Sequence, residues 1–363
     1  MTMMDPYIEA VSGDIEEQIN LFNIDNIPTV YIGGGTPSVL GAKRITHLLT
    51  LINTLLTNMD APPLEFTVEA NPESTDEAFL RACVEGGVSR ISLGVQSFHE
   101  AARKAVRRQG GIRQVEDALA LAARYYPEAF SADLITGLPF QTGSVVRDDI
   151  RRLLSFPVAH VSLYSLILEP QTPLGIQAAT GSASLPPTDE ADCLWIAGRD
   201  LLESAGYRQY EVSNFCLPGK AGVHNIRYWK MENWLGAGPS ASGTIINDET
   251  GTAKRFTFPP DIESYIRMPG PRVNHAIVEE LNRTDLIKET LLMGFRYCGG
   301  PDNRLFKQRF GRGIENVIPK TIALWGGRDF FQTGQTLKPS KQGLLFVNGF
   351  LRDAFGELAM SNE

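Results

Sequence analysis

Short apolar runs recur along this chain at intervals of a few dozen residues, and each ends in polar or glycine-rich residues. TVYI (29–32) leads into GGGTPS (33–38), LEFTV (64–68) into Glu69-Ala70-Asn71-Pro72, and RISLGV (90–95) into Gln96-Ser97-Phe98. SAD (131–133) opens LITGLP, and HVSLY (160–164) leads to LEPQTP (168–173). Such runs, bounded by turn residues, read as strands. Between them apolar positions fall at helical spacing near 41–57, 75–85, 112–124 and 143–155, after a first amphipathic helix over 5–22. Alternating strand and helix predicts an α/β fold with a parallel sheet. In barrel-type folds of this class, side chains from the C-terminal strand ends converge on one mouth, where ligands bind.

Beyond the last of these strands, GSASLPPTDE (181–190) reads as a loop, with Thr188 or Asp189 placed to cap the helix that follows. That helix is expected to end near Gly206, and YRQYEVSNF (207–215) to return as a sixth strand. A composition shift near 270–276 (PGPRVNHA) predicts a domain boundary, giving a barrel-like part over 1–270 with an extension at 181–270, and a small domain over 271–363. Helices near 284–297, 303–310 and 314–324, then a β-ribbon and a terminal helix, give the second part a winged-helix-like plan. Its final helix is not basic, so a packing role is expected there rather than DNA binding.

Composition narrows the partners. A net charge of −8 over 363 residues argues against nucleic acid or an anionic membrane surface, either of which wants a basic face. No apolar stretch reaches spanning length and MTMMDPYIEA lacks a signal-peptide pattern, so a cytoplasmic protein without an integral membrane segment is expected. Cys83, Cys193, Cys216 and Cys298 are scattered, and read as buried small hydrophobes rather than metal ligands.

The strand tips carry the candidate chemistry. Gly33, Gly34 and Gly35 allow a sharp turn that presents backbone groups to a ligand; Thr36 adds a hydroxyl. The run is neither a Walker loop nor a dinucleotide fingerprint, and an empty glycine-rich turn accounts for it equally well. Glu69, Gln96 and Asp133 each stand at or beside the end of a strand with an apolar body. Together they suit a ligand with an amine and a ribose. Arg108 lies in a basic run (Arg103, Lys104, Arg107, Arg108) whose ordinary reading is a solvated helix face. HNIRYW (224–229) sets an imidazole, His224, beside Asn225, Tyr228 and Trp229 in what reads as a loop. That chemistry suits haem, although an aromatic cluster packed on the barrel explains it too.

The ordered series VYIGGGTPS, FTVEANP, ISLGVQSF, ADLITGLPFQT, VSLYSLILEPQTPL, YEVSNF, HNIRYW and LGAG resembles the radical S-adenosylmethionine superfamily. More narrowly it is similar to the haem-chaperone branch, a relative of oxygen-independent coproporphyrinogen III oxidase. The resemblance spans essentially the whole chain and implies a (β/α)6 barrel, here incomplete because its first strand is missing, plus the winged-helix-like domain. It implies S-adenosylmethionine contacts at Gly34, Gly35, Thr36, Glu69, Gln96, Arg108 and Asp133. It also implies haem binding at HNIRYW, with His224 as the metal ligand and Asn225, Tyr228 and Trp229 beside it.

The departures set further expectations. Members of the superfamily carry a strand leading into C-x-x-x-C-x-x-C, whose thiolates hold a 4Fe–4S cluster, and this sequence starts at the helix after that motif. As written it has no cluster ligands, so no radical catalysis and a weakened S-adenosylmethionine site are expected. TVYI would then stand as an unprotected sheet edge, which favours a shortened gene reading over a natural loss. Gly110 replaces a family histidine, and GAGPSASG (236–243) replaces a Gly-Ala-His run. The expected function is haem binding and transfer to an acceptor protein. The alternatives are a coproporphyrinogen III oxidase-type radical enzyme whose cluster segment lies outside this sequence, or a phosphate- or nucleotide-binding barrel enzyme.

Overall fold

The computed structural model describes residues 3–332 and 334–360. Five parallel strands, β1 (Thr29–Ile32), β2 (Glu65–Ala70), β3 (Arg90–Gln96), β4 (Phe130–Thr136) and β5 (His160–Ser165), lie side by side in chain order. Helices Gly41–Leu56, Glu77–Glu85, Ile112–Tyr125 and Gly143–Leu153 connect them, as the periodicity predicts. β1 forms one edge of this sheet, its residues half-buried apart from exposed Tyr31. The fold is α/β with an open, mostly parallel sheet.

The sixth strand differs from expectation. Residues 207–215 do not run as one strand but fold back as a short hairpin, β6 (Arg208–Gln209) and β7 (Asn214–Cys216), with β7 antiparallel to β5. Backbone bonds explain the reversal: the Tyr210 N–H donates to the Asn214 carbonyl at 3.1 Å, and the Leu163 N–H to the Ser213 carbonyl at 2.8 Å.

The two faces of the sheet have opposite chemistry, because side chains alternate along a strand. On one face Phe66, Val68, Ile91, Leu93, Val95, Ala132, Leu134, Val161, Leu163 and Phe215 are buried. The helix Thr188–Ser204 docks on this sheet, with the Trp195 indole donating to the Leu163 carbonyl at 2.8 Å. Pro187 stands at the cap of this helix without a side-chain bond, so neither Thr188 nor Asp189 caps it. The other face carries Glu65, Thr67, Ser92, Ser131, His160, Ser162 and Asn214, all buried and all polar. Register places Glu69 beside Ser92, and Gly94, Asp133, Ser162 and Asn214 in one row across four strands.

The chain packs as two compact units. One holds residues 28–54 and 61–222, and so the whole large sheet; the other gathers the N-terminal helix up to Ile27, residues 55–60 and everything from Val223 on. In the second unit, β8 (Ser242–Asn247), β9 (Thr252–Thr257) and β10 (Ile277–Leu281) form an antiparallel sheet. Because β10 pairs with β9, the composition break near 270 falls inside this unit, not at its edge. Helices Arg283–Gly294, Asn303–Phe310 and Pro319–Gly326 follow, then the ribbon of β11 (Phe331–Gln332) and β12 (Gln335–Pro339) and two further helices, Lys341–Leu345 and Val347–Met360. Phe330 stacks on Phe350 at 4.3 Å between ring centres at the heart of this helical part. No described helix is long and apolar enough to cross a membrane.

One buried carboxylate fixes the loop after β3. Asp149 accepts from the Ser97 hydroxyl at 2.6 Å and the Phe98 N–H at 2.7 Å. Asp149→Ala leaves both donors buried and unpaired, which should cost about 3 kcal/mol. A fall of that size in urea-unfolding free energy is expected, and an unchanged midpoint would contradict the clamp.

Candidate functional site

The exits of β1 and β2 meet at Glu69. Its carboxylate accepts from the Tyr31 hydroxyl and from the Gly34 N–H, the latter at 3.3 Å. Although part of the ring is exposed, desolvation at the hydroxyl end and then the Glu69 charge push the Tyr31 phenol above its ordinary range, so it remains a donor. Glycine is required at two points of this turn. Gly34 has φ +81°, and a Cβ on Gly33 would stand 2.7 Å from the Glu69 carboxyl carbon. Gly35 is exposed, with open space where its Cβ would lie. Thr36 starts the short turn Pro37–Leu40, and its hydroxyl accepts from the Asn71 side-chain amide at 3.1 Å.

A second cradle forms where β3 is irregular. The β3–β4 register shifts between Gly94 and Gln96, and Gln96 sits at φ 68°, a strained value for a residue with a side chain. Polar side-chain ends close over Gly94: a Cβ there would lie 2.9 Å from Gln96 Nε2, 3.0 Å from Asn71 Oδ1 and 3.1 Å from Arg108 Nη2, so only glycine fits. Three side chains from separate segments therefore aim at one point.

The basic run is not a solvated face. Arg103 is almost wholly buried and donates to the carbonyls of Val95 (2.6 Å), Ser97 (3.3 Å) and Gln109 (3.2 Å) and to the Glu73 carboxylate (2.6 Å). It closes the bulge by satisfying carbonyls that regular pairing would otherwise take. Arg108 is half-buried, and burial is the main influence lowering its pKa. Lys104 and Arg107 alone are exposed as the run predicts.

Asp133 completes the group. Ser92 donates to it at 3.3 Å and Ser162 also bonds it; burial pushes its pKa up to about 6, with the Glu69 charge adding to the rise and Arg108 opposing it. Tyr164, two residues beyond Ser162, is raised by burial and then by Asp133, with Glu211 and Glu69 contributing. Gly34, Thr36, Glu69, Gln96, Arg108 and Asp133 are thus linked directly or through Asn71 and Gly94. Sequence reasoning missed Tyr31, Asn71, Gly94 and Arg103. The signal for Asn71 was present in EANP, and that for Gly94 in its place within an otherwise bulky strand.

His224, Asn225, Tyr228 and Trp229 belong to the other unit. They do not form a loop: Val223–Trp229 is a short helix, in which residues four apart share a face, pairing His224 with Tyr228 and Asn225 with Trp229. His224 and Asn225 are half-buried and Tyr228 is exposed. The Tyr228 ring meets Trp234 edge-on at 5.0 Å and Trp229 at 6.3 Å, so Trp234 joins an aromatic cluster that the motif alone does not include. Cys83 and Cys216 are buried, Cys298 is half-buried and Cys193 is exposed rather than buried as expected. No group of three His, Cys, Asp or Glu side chains able to hold a metal occurs among the described residues.

The sequence profile of the Radical SAM superfamily matches residues 3–153. The heme chaperone HemW of Lactococcus lactis is 35% identical over 88% of this chain and 81% of its own length. That of Haemophilus influenzae is 32% identical over 95% of this chain and 88% of its own length. Among solved structures, the coproporphyrinogen III oxidase HemN from Escherichia coli, a radical SAM enzyme, superposes with a TM-score of 0.78 at 19% identity, covering 97% of this chain and 83% of that one. That likeness concerns the fold.

The raised pKa of Asp133 carries a testable consequence for the ligand-free protein. The folded state keeps this proton up to about pH 6, while the unfolded chain releases it near 3.8. Its stabilising contribution is therefore full below the unfolded value and is lost as pH rises through the folded one. Asp133→Asn should abolish that decline and raise stability at pH 7.5 by on the order of 1–3 kcal/mol. Urea midpoints between pH 4 and 7.5 provide the measurement, and a destabilised variant at pH 7.5 would contradict the burial argument.

Proposed function

This chain belongs to the HemW heme chaperone family of radical SAM proteins, and from that membership we propose that it binds haem and hands it to an acceptor protein. The observation that carries this reading is the 35% identity to a heme chaperone across 88% of the chain. The haem site of this reading is the helix Val223–Trp229. His224 supplies an imidazole for the iron, Tyr228 on the same helix face and the adjoining Trp229 and Trp234 offer apolar ring surface, and Asn225 gives a polar contact at the edge.

The mouth of the large sheet suits S-adenosylmethionine. The polar ends of Gln96, Asn71 and Arg108 converge over Gly94, and two carboxylates, Glu69 and Asp133, stand nearby. In this reading Gly34, Gly35 and Thr36 border the methionyl end, Arg108 pairs with its carboxylate, and Glu69, Gln96 and Asp133 take amine and ribose donors. Bound S-adenosylmethionine would supply a sulfonium-activated nucleoside. The role proposed for this pocket is S-adenosylmethionine binding.

Haem titration followed by absorbance tests the reading. The wild type should give a Soret band that shifts or weakens in His224→Ala with the fold intact, whereas His47→Ala, on the helix Gly41–Leu56, should leave it unchanged. An identical spectrum and affinity in His224→Ala would remove His224 from the haem site.

A further inference from the structure

The polar face of the sheet continues past the residues assigned above. Glu211, in the turn between β6 and β7, is fully buried. Its carboxylate accepts from the Ser213 N–H at 3.1 Å, and the Asn214 side chain and the Asn214 and Val212 N–H groups also bond it. The carboxylate oxygen Oε1 is buried without a partner, and so is the Asn214 carbonyl oxygen, Oδ1. Asn214 is paired with Ser162, which is paired with Asp133, so the three share one face and one level of the sheet. The Leu163 N–H donates to the Ser213 carbonyl at 2.8 Å, which holds the turn carrying Glu211 beside the C-terminal end of β5, at the mouth.

Buried polar atoms are ordinarily satisfied, and those that are not call for an explanation. With Glu211 ionised both orphans are acceptors, so the missing partner is a donor. A cation or a neutral N–H or O–H would serve, whereas an anion or an apolar group would not. The nearby charges agree, since Glu69 and Asp133 flank the same face.

We infer that Glu211 and Asn214 form a second subsite of the mouth, which receives an amino or hydroxyl donor of the nucleoside ligand whose other groups rest on Glu69 and Asp133. This rests on the reading of the mouth as a nucleoside pocket. Glu211 is further suited to such a contact, because burial pushes its pKa up to about 7 and it can meet a donor in the ionised form at little cost near neutral pH.

Calorimetric titration with S-adenosylmethionine, carried to millimolar ligand, tests the subsite with three variants of the full chain. Glu211→Met removes the orphan acceptor at similar volume, and should weaken binding at least tenfold while the melting temperature stays level or rises. Glu211→Gln keeps one acceptor, and should lose less; it also replaces the Met variant should that one fail to fold, and a loss of threefold or more then supports the subsite. Glu69→Gln reports on the pocket itself. If Glu69→Gln weakens binding and both Glu211 variants bind like wild type, the subsite is wrong and the pocket stands. If the wild type binds nothing, or no variant changes its affinity, the pocket reading falls and the subsite with it.

Discussion

The constraint on which the structure depends is the two-residue alternation of β2 to β5. It obliges each strand to present one row to the covering helices and one to the opposite side. The helix-side row is uniformly apolar, and burial of its branched and aromatic side chains supplies the driving force for the sheet. The opposite row is mostly polar, from Glu65 and Arg90 to Asp133 and Ser162, with Gly94 and Ile135 as exceptions. A shift of one residue in any strand would exchange the rows, placing carboxylates under helices, so register and site are fixed by the same burial.

Holding a polar row out of water lowers stability, and the molecule offsets that locally. Glu65 is paired with Arg90 at 3.0 Å, Ser131 donates to Ser92 at 3.1 Å, and His160 shares a hydrogen bond of 2.8 Å with Tyr210. Burial lowers the pKa of His160 to about 3, so it remains neutral and adds no charge to the row. Satisfaction is incomplete along the row, where Thr67, Arg90 and His160 each keep one unpaired buried atom, as Glu211 and Asn214 do; at the mouth Gln96 is also strained and Asp133 raised. Backbone strain is often found at functional sites, and here it falls at Gln96, one strand away from the raised Asp133.

Much of this was legible in the sequence. All five parallel strands and the residues at their tips follow from apolar runs that stop in glycine or polar residues. What escaped reading has identifiable causes. Tyr210 to Ser213 reverses the chain without glycine or proline, so YRQYEVSNF looks like one continuous strand. Arg103 looks solvated because arginine usually is, and only the bulge at Gly94–Gln96 creates the carbonyl pocket that buries it. HNIRYW is too short for helical periodicity to stand out beside its flanking glycine. The polar row was hidden because serines and threonines within a strand read as ordinary strand residues until register lines them up.

The central claim is that this polar face ends in a nucleoside-binding mouth. Hydrogen–deuterium exchange with and without S-adenosylmethionine tests it most directly, since it reads each segment of the intact chain. The account predicts slowed exchange on ligand addition in the segments 33–36, 69–71 and 94–98, where the polar ends of separate strand exits converge. Unchanged exchange in all three at saturating ligand, or protection confined to other segments, would contradict it.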